Sequence, residues 1–357
     1  MIPVSLKRLS LLIGLLCIAN LGLGGCGKRT VTEGSDTLIA NSSEVAASAD
    51  VVKMVGVDDA QPATQPWNIV YVLKVEPIPE KHPYWTAVGE SAKVAAKDFG
   101  VNVRIKWPEN AGLDGSAIEN QISLIAQLIE DDTIDGMVVG PLDSVKIVPI
   151  VEQAIAKGIP VISFGTAITS NQLLTSVSIN NKKGGEAIGK WVVEKLEGKG
   201  KVLILDGPAA QQNALDRRNA ILGGLGTGDI ELLDIQSADW SSELAKPIVE
   251  EWVQTHSDID AIVAANDPMA IGAAEKLTEL GYSDVVVTGF SGSPSALNAI
   301  QSNLLAATVD QAPSPQSRRA MQLLIQHLET GRTFDAHLPW QSIDIISSEN
   351  IDDYLQN

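Results

Sequence analysis

Asn266 lies in Ala264-Ala265-Asn266-Asp267-Pro268, between a β-rich run and a helix-compatible stretch. Its amide donates and accepts at once, so it can satisfy adjacent hydroxyls. It also sits where a strand's carboxyl end opens onto the crevice of an open α/β sheet. Asp267, just before Pro268, reads as the N-cap of the following helix. Aromatic residues make up only 4% of the chain, so the placement of Tyr84 and Trp85 in His82-Pro83-Tyr84-Trp85, of Trp240 after Asp239, and of Phe164 at the end of a β-rich run is informative. Such rings stack on the apolar faces of a small polar ligand, whose hydroxyls would each cost about 1–3 kcal/mol if buried unpaired. Each ring has a competing reading. One of Tyr84 and Trp85 packs under a helix while the other faces a cleft, Trp240 stacks or anchors its loop, and Phe164 serves core or ligand.

Catalytic chemistry finds little support. Gly289-Phe290-Ser291-Gly292 departs from the G-x-S-x-G nucleophile elbow, and no histidine is placed by sequence to activate Ser291. The four histidines, His82, His256, His327 and His337, never fall at the spacing that presents two to zinc. Gly223 to Gly228 has Asp229 where G-x-G-x-x-G needs its last glycine, and reads as a turn. Paired carboxylates such as Asp58-Asp59 and Asp131-Asp132 read as solvated faces or helix ends. We expect a non-enzyme with no metal and no cofactor.

A chain of 357 residues holds more than one compact core, so two folded units are expected. The net charge of −18, with basic residues scattered, argues against nucleic acid as a partner. At the N-terminus, Lys7 and Arg8 precede an apolar run from Leu9 to Leu23 that is short for a membrane span and reads as a secretory signal. It ends Leu23-Gly24-Gly25-Cys26, which resembles the lipobox of bacterial lipoproteins. That resemblance implies cleavage after residue 25 and acylation of Cys26. Cys17 would leave with the signal, as would two basic residues, so 24 basic and 44 acidic groups would remain, a net of −20. Residues 26–66 are rich in Ser, Ala, Thr and acids and read as a flexible tether with a reach of roughly 35 Å.

From Trp67 onward, short β-branched runs alternate with amphipathic stretches, which implies βαβ units and parallel sheets covered on both faces. A closed eight-fold barrel is the competing architecture. The segment Leu174 to Ile179, leading straight toward Gly184, reads instead as a crossing between two open sheets, with the ligand site in the cleft between lobes.

Several motifs carry a family resemblance. Ala264-Ala265-Asn266-Asp267-Pro268-Met269-Ala270-Ile271-Gly272-Ala273 is similar to A-x-N-D-x-M-A-x-G-A. With Gly158-Ile159-Pro160-Val161-Ile162, Val287-Thr288-Gly289-Phe290-Ser291-Gly292 and Leu305 to Gln311, it resembles the type I periplasmic binding proteins of the ribose and galactose kind. The resemblance implies an α/β fold of two Rossmann-like, doubly wound parallel-sheet lobes joined by a three-strand hinge. Residues 67–177 plus about 312–336 would form the N-terminal lobe, and residues 178–311 plus about 337–357 the C-terminal lobe. It also implies that Trp240 caps the ligand and that Gln311 is a ligand amide, unless it is a solvated hinge residue.

Three positions depart from the family pattern and change the pocket's chemistry. Gly165-Thr166 stands where pentose receptors carry Asp-Arg, Asp216 where a ligand arginine is expected, and Ser291 where G-F-D-G has its aspartate. The cytoplasmic repressors of this fold are set aside, because this chain carries a lipobox and tether in place of their helix-turn-helix. The expected protein is lipid-anchored in the periplasm or on the outer face of the cytoplasmic membrane. It captures a small polar, sugar-like ligand for an ABC permease. The alternative is a sensor that signals to a histidine-kinase ectodomain, suggested by the long Lys74 to Lys81 loop.

Overall fold

The computed structural model describes residues 62–109 and 116–355; the signal segment, Cys26 and all but the last residues of the tether lie outside the described residues. The body begins slightly earlier than residue 67. Ala63 donates to the Phe99 carbonyl at 2.8 Å, and the Thr64 amide donates to Glu329.

Two six-stranded sheets make the architecture. The first half of the chain runs β1 (Asn68–Val72), α1 (Pro83–Phe99), β2 (Asn102–Lys106), α2 (Ala117–Ile129), β3 (Gly136–Val139), α3 (Val148–Ala156), β4 (Val161–Phe164) and β5 (Thr175–Ile179). The second runs α4 (Asn181–Lys195), β6 (Lys199–Asp206), α5 (Gln212–Leu225), β7 (Asp229–Ser237), α6 (Ser242–Thr255), β8 (Ala261–Ala264), α7 (Asp267–Glu279), β9 (Val286–Ser291), α8 (Pro294–Gln301) and β10 (Ala307–Asp310). A tail follows: α9 (Pro313–Thr330), β11 (His337–Trp340), β12 (Ile345–Ser347) and α10 (Asp352–Leu355).

The first sheet has the order β11-β5-β4-β3-β1-β2 and the second β12-β10-β9-β8-β6-β7. Central strands such as Gly136–Val139 and Ala261–Ala264 are buried along their whole length, as parallel strands sandwiched by helices must be. Among the described residues, every strand pair is parallel except β10–β12. Helices start and stop where side chains can close them. Asn180, Ser241 and Ser293 each accept from a backbone amide of the first turn, and Gly100 and Gly331 end α1 and α9 in the left-handed conformation.

The chain passes between the lobes three times: from β5 into α4, from β10 into α9, and between β11 and β12. Helix α9 returns to the first lobe, where Ala320, Met321 and Leu324 join the core around Phe99 and Val138. The expectation that the second lobe regains the chain from about residue 337 is corrected here. Residues 337–340 form the edge strand β11 of the first sheet, in register with β5, and the chain crosses only after Trp340. An outward strand with a proline at its third position carries no local mark of which lobe it serves.

Candidate ligand-binding site

The carboxyl ends of the two sheets face each other, and the loops that leave them supply the site. From the first lobe come Lys74 after β1, the Tyr84-Trp85 pair at the start of α1, and Phe164-Gly165-Thr166 at the end of β4. From the second come Gln211 and Asn213 at the start of α5, Arg217 one turn further on, and Trp240 after β7.

Direct bonds join the lobes. The Lys74 ammonium donates to Thr166 Oγ1 at 2.6 Å within its own lobe and to Gln211 Oε1 across the cleft. Thr166 Oγ1 in turn donates to Asn213 Oδ1 at 2.7 Å. Beside them, the Ser144 amide donates to the Ala210 carbonyl and the Gln212 amide to Ser144 Oγ, each at 3.0 Å.

Each lobe lays a tryptophan on a glycine. Trp85 lies so close over Gly140, just after β3, that a Cβ there would meet its ring at 2.4 Å; Trp240 covers Gly207, just after β6, at 2.2 Å. Larger residues at either position would lift the ring. Trp85 and Tyr84 meet edge to face with centroids 5.1 Å apart, and both pack on Phe164 at 6.3 and 6.5 Å. Phe164 itself is fully buried. Asp239 and Trp240 both have positive φ, 48° and 65°. A bulky residue in that region is strained, and such strain clusters where a side chain must be aimed. Trp240 Nε1 donates to Gln211 Oε1 at 3.0 Å, which ties its ring to the acceptor that Lys74 uses.

Asn266 supports this aim. Its Oδ1 caps α7 by accepting from the Met269 amide at 2.9 Å, while its Nδ2 donates to the Trp240 carbonyl at 3.0 Å. The cap expected of Asp267 therefore belongs to Asn266. Asp267 is wholly buried, accepting from Thr308 Oγ1 at 2.5 Å and the Ser293 amide at 2.8 Å, and burial raises its pKa. Ser291 and Gln311, at the ends of β9 and β10, bond to each other at 3.1 Å, and Gln316 donates to the Gln311 carbonyl. Gln311 is buried, so the solvated hinge residue weighed above is not what the structure holds. Gly165 lies under the Tyr84 hydroxyl with φ of 69°.

Asp216 does not join this group. It sits on the flank of α5, accepting from Gln212 at 3.0 Å and facing the exposed Lys182 at 3.9 Å. The buried side chain is its neighbour Arg217, whose guanidinium lies 3.8 Å over Phe290 and 5.6 Å from the Trp240 centroid. Arg217 donates to Asn181 Oδ1 and to the Ala265 carbonyl, both at 2.7 Å, and burial lowers its pKa to about 10. Lys74, Gln211, Asn213 and Arg217 were not anticipated from sequence. For Lys74 one signal existed, a lone cation ending the apolar run Ile69 to Leu73.

A family model described as a periplasmic binding protein domain matches residues 76–333, so this chain belongs to the periplasmic binding protein family. Among curated relatives, it is 32% identical over 233 residues to the ribose import binding protein of Bacillus subtilis (strain 168), covering 65% of this chain and 73% of that protein. Among solved structures, a solute binding protein of an ABC transporter from Actinobacillus succinogenes with bound D-allose superposes with a TM-score of 0.74 at 24% identity, covering 81% of this chain and all of the other. The fructose binding periplasmic domain of a hybrid two component system superposes with a TM-score of 0.73 at 22% identity, covering 81% of this chain and 94% of that one. The fold is the two-lobed type I periplasmic binding protein fold.

Proposed function

We propose that this protein is an extracytoplasmic solute-binding lipoprotein that closes its two lobes on a small polar, sugar-like ligand and delivers it to an ABC permease. The observation that carries the proposal is the cross-lobe network of Lys74, Thr166, Gln211 and Asn213, flanked by Trp85 and Trp240. A ligand that touches both lobes stabilises the closed state by its differential affinity for it. The relative described as a ribose import binding protein supports the transport reading over a sensor.

In this reading Tyr84, Trp85 and Trp240 supply the apolar faces of the pocket, with Phe164 beneath them. Thr166, Ser291 and Gln311 supply hydrogen-bonding groups. Gly165 lets the backbone pass under Tyr84, and Asn266 acts by holding Trp240. Asp216 has no direct contact with the ligand. Cys26 carries the acyl anchor, which places the protein in the periplasm or on the outer face of the cytoplasmic membrane.

The test is a thermal-shift screen of the protein against pentoses, hexoses, polyols, nucleosides and small amines or N-oxides. A ligand at one hundred times its dissociation constant adds about 2.7 kcal/mol of stability. A saturable shift with a sugar or polyol that is lost in Trp240→Ala supports the proposal, whereas hits confined to the amines and N-oxides would favour the sensor. For the anchor, Cys26→Ser should move the protein from the membrane to the soluble fraction. Membrane retention of the processed variant would contradict it.

A further inference from the structure

Among the described residues, the cleft holds two buried cations, and no carboxylate is in hydrogen-bond or ion-pair contact with either. Lys74 is 5% exposed and Arg217 2% exposed. The hydrogen-bond partners of Lys74 are a threonine hydroxyl and a glutamine carbonyl oxygen; those of Arg217 are an asparagine oxygen and a backbone carbonyl. All four are neutral. The nearby acids are committed elsewhere. Asp206 pairs with Arg218 at 3.2 Å and accepts from the Gly207 amide, Asp267 is held by Thr308 and Ser293, and Asp216 faces Lys182.

Burial lowers the pKa of Lys74 well below the ordinary lysine value, and the neighbouring Arg217 lowers it further. A third donor, the Tyr84 hydroxyl, is buried with no hydrogen-bond partner among the described residues. Asp267 and Asp206 attract Arg217 without touching it, whereas Lys74 has no acid acting on it among the described residues; in a chain of net charge −18, such a concentration of donors is local and specific. A neutral hydroxyl both donates and accepts, and is served best by a mixture of amides and carboxylates. An anionic oxygen group only accepts, and is served by donors alone. A buried charge without a counter-charge is costly, and an anion brought in by the ligand would remove that cost.

We propose that the preferred ligand is an acid of the sugar class, whose carboxylate or phosphate is held by Lys74 and Arg217 with the Tyr84 hydroxyl beside them. This rests on the solute-binding reading and sharpens it: Gly165 and Ser291 stand where the family pattern given above has an aspartate, so neither position offers a carboxylate to the cleft.

The experiment is calorimetric titration of the full protein with matched pairs of neutral sugar and acid. The neutral series is D-ribose, D-allose and D-glucose; the acid series is D-ribonate, D-gluconate, D-glucuronate and D-ribose 5-phosphate. The expected result is at least tenfold tighter binding of one acid than of its neutral parent. The carboxylate and phosphate arms identify which anion is meant. In Lys74→Met the ratio of acid to neutral affinity should fall at least tenfold, with circular dichroism reporting that the variant is folded. The wild-type comparison stands without the variant. If neutral sugars bind as tightly as the acids or more so, the anion inference is overturned while the solute-binding reading survives. If neither series binds, both fall.

Discussion

At the scale of single residues, the site depends on side chains that act through others. Asn266 uses both ends of its amide, one on the α7 cap and one on the Trp240 carbonyl. Asn266→Ala should lose about 1 kcal/mol from the cap in urea unfolding, together with most ligand affinity. Asn266→Asp keeps an acceptor for the cap but loses the donor to Trp240, so its stability should stay near wild type while affinity drops. Equal losses in both variants would contradict this division of roles. Lys74 gives a prediction in pH. Its folded pKa lies well below 10.5, so between that lowered value and 10.5 the unfolded chain binds more protons than the folded one, and stability rises with pH. In Lys74→Met that rise should be absent from denaturant midpoints measured across the alkaline range. The aromatic members of the site were legible because rings are scarce and flank β-rich runs. Arg217 was not legible. Asp216, Arg217 and Arg218 are three charged residues in a row, and which of them points inward is decided by the rotation of α5 against the sheet.

Among elements, the same limit explains α5 itself. Gln212–Leu225 has a weak apolar period and contains Asp, two Arg and two Gly, so a helix pattern before Gly223 was read from sequence but not its bounds or its inward face, whereas the Val- and Ile-rich strands were placed. It is set by close contact with α4. A Cβ on Gly224 would meet the Glu186 carbonyl at 2.4 Å, and one on Gly189 the Ile221 carbonyl at 2.6 Å. Backbone against backbone leaves no soft side chain to move aside. Gly224→Ala should therefore cost about 1–3 kcal/mol in chemical denaturation. Because α5 carries Gln211 to Arg217 into the cleft, ligand affinity should fall with it. An exposed control, Gly223→Ala, has no atom within 4 Å of the added methyl and should not destabilise the protein. The strand β11 escaped the sequence reading for a related reason: its pairing with β5 is a choice made by the whole tail, and Pro339 marks it locally as a poor strand.

For the molecule as a whole, the two-sheet plan and the crossing after β5 were visible in the sequence and the crossing after β10 came from the family resemblance, while the crossing after β11 was misplaced, since it is a property of the assembled lobes. The tail gives each sheet its outermost strand, β11 beside β5 and β12 antiparallel to β10. Ending the chain after Ala336 would expose both edges at once. Hydrogen exchange should then quicken at amides of β5 and β10 in both lobes. Faster exchange in one lobe only would show that the tail serves that lobe alone.

The return of α9 to the first lobe has a consequence for how the protein is made. The Tyr71 hydroxyl donates to the Ser317 carbonyl at 2.7 Å across 246 residues of sequence, and Ser317 Oγ donates to the Val88 carbonyl across 229. The half that leaves the ribosome first is thus completed last, after the other half has emerged. Contacts so distant along the chain close slowly. Until they close, the nascent polypeptide has no finished first lobe, so that half is not locked in its final form while the chain is still being made.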